Sequence, residues 1–123
     1  MKLLDNLYTI VKSDCESRVF DLNLNAGCII YQAHFPGMPI TPGVCIIGIA
    51  SELLGILLGR QPQLVEVINA KFIATISPVE KPHVTFTFNK LNLDEEARTV
   101  KINVIVTADT VVCSKLSLLY SMK

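Results

Sequence analysis

The chain has 123 residues, half of them hydrophobic and 18% charged, and its eleven basic and eleven acidic side chains cancel. That is the length of one domain, residues 1–123, with room for a core. It is too apolar for a comfortable monomer, so some apolar surface is expected to be buried against a partner, a dimer first of all, or to line a cavity, and with no basic stripe interleaved with aromatics no nucleic-acid binding is expected.

In chain order, Met1-Lys2-Leu3-Leu4 meets Asp5 at once, so no signal peptide develops. Residues 7–12 read as a strand, 14–17 as a turn, and 18–24 as a strand alternating Phe20, Leu22 and Leu24 against Val19, Asp21 and Asn23. Asn25-Ala26-Gly27 turns the chain towards a stretch, residues 34–44, that holds three of the six prolines and two of the six glycines. Proline fixes φ and disfavours helix at the residue before it, so this stretch reads as a rigid, non-helical loop. Residues 43–58 read as a helix that begins after Pro42, is apolar on every face and is therefore buried on all sides. Gly59 supplies the stop. At 16 residues, broken by Gly48, Ser51, Glu52 and Gly55, the helix is too short for a membrane span. Strands follow over 64–76, 83–91, 98–107 and 110–121, with an acidic turn at 92–97 and a tight hairpin at Ala108-Asp109. One buried helix with a run of antiparallel strands is an α+β layout. Cys15, Cys28, Cys45 and Cys113 have no metal-ligand spacing and read as small buried hydrophobes in a reducing cytoplasm, with no metal and no cofactor expected.

The loop His34-Phe35-Pro36-Gly37-Met38-Pro39-Ile40-Thr41-Pro42-Gly43-Val44 strongly resembles the signature of the FabA/FabZ family, the 3-hydroxyacyl-acyl-carrier-protein dehydratases. Upstream, Ile30-Tyr31-Gln32-Ala33 is similar to the family's approach to its histidine, with Ala33 where glycine is usual. Downstream, Ile68-Asn69-Ala70-Lys71-Phe72, with Pro78 and Glu80, is similar to the strand after the central helix. The resemblance implies a hotdog fold, in which a curved antiparallel sheet wraps one helix, and a dimer whose site lies between chains. Periodicity alone would not separate that fold from other α+β sandwiches.

The family's reaction takes a proton from beside a thioester carbonyl, gives a proton to a departing hydroxyl, and needs donors for the charge on the carbonyl oxygen. His34 matches the family's histidine and would be the base. The amides of Gly43 and Val44 open the helix and could hold the oxygen. Tyr31 and Phe35 flank the histidine and are expected as pocket wall. His83 follows Pro82 at the start of a strand and reads as exposed.

The family's acid lies on the helix fourteen residues after the histidine, and that position here is Gly48. Glu52, four residues on, is the only charge between Gly43 and Gly59 and lies on roughly the same face, ~6 Å further along the axis. It reads either as a displaced acid, with Gly48 leaving it space, or as a structural carboxylate at the dimer surface, paired with a lysine or a backbone amide. Two function classes follow. One is a FabZ-like dehydratase of 3-hydroxyacyl thioesters carried by acyl carrier protein. The other is a non-catalytic or partner-dependent subunit that binds the carrier or completes one site in a heterodimer with a related chain. A hotdog thioesterase is a third reading, opposed by the His-Phe-Pro-Gly loop. Carrier docking would rest on Lys71, Lys81 and Lys115, because Ile73 and Ala74 stand where basic residues are common in the family.

Overall fold

Apolar alternation becomes burial alternation along the strands. In β5 (Thr99–Ala108) Val100, Ile102, Val104 and Val106 are fully buried, and the residues between them are not. The structure, a computed structural model, describes residues 2–34 and 37–123, with His34 described by its backbone alone. The other elements are β1 (Tyr8–Asp14), β2 (Val19–Leu24), α1 (Ile29–His34), α2 (Gly43–Leu58), β3 (Gln63–Phe72), β4 (His83–Asp94) and β6 (Val111–Ser121). The six strands form one sheet in the order β1-β2-β4-β5-β6-β3, every neighbouring pair antiparallel.

The inward residues of the sheet and one side of α2 make a single core. Ile49, Ala50, Leu53 and Leu54 of the helix join Phe20, Leu22, Phe86, Phe88, Ile102, Leu118 and Tyr120. Phe20 and Phe88 meet edge to face, with ring centroids 5.8 Å apart. A hydroxyl pair, Ser51 Oγ with Tyr120 Oη at 2.7 Å, fixes the helix on the sheet. Gly59 ends α2 in the left-handed region, at φ 76°, and returns its N–H to the Gly55 carbonyl.

Five expectations are corrected. Residues 29–34 form a short helix where no element was expected, so His34 closes α1 instead of opening the proline stretch. Six residues carry too little periodicity to be read, and it is the buried Tyr31 that holds the turn in place. Helix α2 is not buried on all sides, since Val44 is 74% exposed on its outward face. Strand β3 stops at Phe72, although the amides of Ile73 and Ala74 still reach the Cys113 carbonyl, and β4 runs on to Asp94 through a bulge between Asn89 and Asn92. Cys15 is exposed in the turn after β1, while Cys28, Cys45 and Cys113 are buried as expected.

Candidate functional site

The amino terminus of α2 is the chemically open end of the fold. Pro42 is its N-cap and makes no side-chain capping bond. The Pro42 carbonyl takes the amides of Cys45 and Ile46, and among the described residues the amides of Gly43 and Val44 meet no acceptor. These are two of the orphan donors that every helix start carries, and the helix dipole adds to them. Gly43 lies on a cleft of about 340 Å³ with Thr41, Ile46, Phe72, Ile76 and neighbouring residues, and Val44 is the next residue of the helix start. Glycine at position 43 lets the Phe72 ring lie close, because a Cβ there would be 2.8 Å from it and the ring would have to shift. Phe72 is half exposed and lies over the helix start, a role its place in the strand did not announce.

Helix α1 is braced against this end. The Tyr31 hydroxyl meets Thr41 Oγ1 at 2.9 Å, and the Thr41 amide donates to the Ile76 carbonyl at 2.8 Å. Tyr31 has no exposed surface, so in this chain it acts as a strut between α1 and the run into α2 rather than as cleft lining. Burial pushes its phenol up to about 12, partly offset by the Thr41 bond. His34 ends α1, and its side chain lies outside the described residues, as do Phe35 and Pro36. Thr41 was not foreseen, although a threonine just before Pro-Gly was the available signal.

Glu52 lies in the middle of α2, and its carboxylate is fully engaged. Oε2 accepts the Leu3 amide at 2.7 Å, while Oε1 accepts the Leu4 amide and the Tyr8 hydroxyl, each at 2.9 Å. Burial, then the hydrogen bond to Glu52, raises the Tyr8 phenol far above its ordinary value, so Tyr8 donates at any working pH. Gly48, one turn earlier, lies beneath the Leu3 side chain, and a Cβ there would be 2.8 Å from Leu3 Cδ1. Of the seven expected site residues, the structure therefore places Gly43 on the cleft, with Val44 next to it at the helix start, and braces this end with Tyr31. It groups Gly48 with Glu52 under the amino-terminal segment. His83 is exposed, as expected.

A sheet packed on one long helix defines the hotdog class, and solved structures agree. One chain of the dehydratase heterocomplex ApeI:P from Xenorhabdus doucetiae matches with a TM-score of 0.67 at 18% identity, covering 92% of this chain and 96% of that one. An (R)-hydratase from A. caviae involved in PHA biosynthesis matches with a TM-score of 0.56 at 13% identity, over 77% of this chain and 71% of that one. Such identities speak for the fold alone. Sequence carries the likeness further. The 3-hydroxyacyl-[acyl-carrier-protein] dehydratase FabZ of Lactobacillus helveticus is 31% identical over 130 residues, covering 93% of this chain and 84% of that protein. FabZ of Lactiplantibacillus plantarum is 31% identical over 109 residues, covering 76% and 74%. The family model for the ApeI dehydratase, ApeI-like, matches residues 11–115. The chain belongs to this FabZ-like, ApeI-like family of hotdog dehydratases. No helix among the described residues is long and apolar enough to cross a membrane.

Proposed function

We propose that this chain is the base-bearing half of a 3-hydroxyacyl thioester dehydratase whose acid comes from a second, related hotdog chain. His34 takes the proton at C2 of the acyl group. The electrons move onto the thioester oxygen, which the free amides of Gly43 and Val44 receive. Collapse of that enolate expels the C3 hydroxyl, which leaves as water with a proton from the partner's acid, and a 2-enoyl thioester remains. The role of His34 is carried over from the family motif. The oxyanion role is supported by the uncapped helix start beside the cleft.

The observation that carries the partner reading is the state of the α2 carboxylate. Position 48 has no side chain, and Glu52 already accepts three hydrogen bonds from the amino-terminal segment. A displaced acid would have to surrender those bonds, and hydrogen bonds to a charged group are worth about 1.5–3 kcal/mol each. The naming of a related structure as a heterocomplex supports the same arrangement. The edge strand β3, with Val65 59% exposed near its start and Phe72 half exposed at its end, offers a surface for pairing. Acyl carrier protein would be the donor of the thioester, met by Lys71 and Lys115, which are register neighbours on β3 and β6. A cytoplasmic location follows from that donor.

The test is to assay the chain alone and co-produced with a hotdog chain that carries a helix acid, on one short 3-hydroxyacyl thioester. Turnover is expected only in the mixture, and His34→Ala in this chain should remove it, a loss of about 10²–10⁴-fold for a general base. Full turnover by the chain alone, abolished by Glu52→Gln, would establish the displaced acid instead.

A further inference from the structure

Residues 2–8 form a strap across the outward side of α2, and the contacts that hold it are specific. Glu52 binds it at the amides of Leu3 and Leu4 and at the Tyr8 hydroxyl. The strap is also closed on itself. The Leu3 carbonyl accepts the amides of Asn6 and Leu7, at 3.0 and 2.7 Å, and Asn25 Nδ2 donates to the Asn6 carbonyl at 2.9 Å. Leu7 and Tyr8 anchor its far end with no exposed surface. This geometry sets the Leu3 side chain over Gly48, with Cδ1 2.8 Å from where a Cβ would lie.

We infer that the strap is a plug that closes the position on this helix where a catalytic acid would stand. Leu3 is the plug and Glu52 is the latch. The inference rests on the dehydratase-family reading for the meaning of position 48, but the packing claim stands apart from it. Glycine at 48 accommodates Leu3, and Glu52 serves the strap as a positioning residue. While the strap is seated, this helix offers neither space nor a free carboxylate to a histidine facing it. A new acid at 48 must displace Leu3 first. Because the obstructing atom is the end of a flexible side chain, displacement costs stability without preventing folding.

The experiment compares wild type, Leu3→Ala, Gly48→Glu and Leu3→Ala/Gly48→Glu, with Gly48→Ala made in the wild-type and Leu3→Ala backgrounds. Each is read for melting temperature and for dehydration of a short 3-hydroxyacyl thioester. The alanine pair isolates the plug. Gly48→Ala should raise the melting temperature in the Leu3→Ala background, where only the better helix propensity of alanine remains. It should raise it less, or lower it, when Leu3 is present. Leu3→Ala/Gly48→Glu should turn over at least tenfold faster than Gly48→Glu alone. Equal shifts from Gly48→Ala in the two backgrounds overturn the plug. Equal turnover of the two glutamate variants overturns the blocking of an acid at position 48. If the alanine pair couples but neither glutamate variant turns over, the strap packing stands and the blocking of an acid at position 48 fails, while the assay with a co-produced acid-bearing chain decides the dehydratase reading separately.

Discussion

A carboxylate in the middle of an apolar helix costs several kcal/mol unless donors meet it. Glu52 meets three, all from the strap, so its replacement is first a stability experiment. Glu52→Gln keeps the size of the side chain and loses the charge behind two amide bonds. It should lower unfolding free energy by about 1–3 kcal/mol, read as a fall in the urea midpoint at unchanged slope. An unchanged midpoint would free Glu52 for chemistry. The tyrosines make a second residue-scale test. All three of the chain's tyrosines are fully buried. Burial pushes Tyr31 and Tyr120 up to about 12, each partly offset by a hydroxyl bond, and raises Tyr8 further. A raised phenol stabilises the fold fully below its unfolded value of 10.0, and that contribution is lost as pH climbs through the folded value. Stability should hold to about pH 10 and fall between there and about 12, with phenolate absorbance appearing together with unfolding. A tyrosine that ionises near 10 while the fold persists would contradict this burial. At this scale the sequence was partly legible. Position 48 as the missing acid could be read by counting from His34, and Glu52 could be read only as an alternative between acid and anchor. The donors that occupy it come from Leu3, Leu4 and Tyr8, more than forty residues away, and backbone amides leave no mark in a sequence.

Helix α2 shows why elements were easier to read than contacts. Its apolar run, Pro42 before it and Gly59 after it all act locally, and the observed helix spans the expected Gly43–Leu58. The strands also follow local alternation, and their ends moved furthest where a bulge or a continuing backbone bond intervened. Helix α1 could not be read, because six residues are held by Tyr31 packing and the Tyr31–Thr41 bond rather than by intrinsic preference. The two sides of α2 predict a graded response. Leu53 has no exposed surface, so Leu53→Ala should cost about 2–5 kcal/mol in thermal or urea unfolding. Ile56 lies on the outward side and is partly exposed, so Ile56→Ala should cost well under half of that. Equal losses at the two positions would mean that the outward side is as deeply covered as the core.

For the whole molecule, the issue is what covers the outward side of α2 and the edge of the sheet. Among the described residues no strand pairs with the outer edge of β3, which also exposes Leu64, Val65, Val67 and Ile68. Unpaired backbone groups beside exposed apolar side chains invite a second hotdog chain. The protein should therefore sediment as a dimer at micromolar concentration. Val65→Asp/Ile68→Asp should dissociate it into folded monomers by placing like charges across the edge. A wild-type monomer, or a dimer indifferent to both charges, would remove β3 as the interface. The central claim is that the chain holds a base and an oxyanion site but no acid of its own. The most direct measurement is hydrogen exchange at C2 of a 3-hydroxyacyl thioester incubated with the purified chain in D2O. An enzyme that can form the enolate but cannot protonate the leaving hydroxyl should wash deuterium into C2 in a His34-dependent way while forming no enoyl product. Dehydration by the chain alone, or an absence of exchange in a folded dimer that binds the thioester, would contradict it.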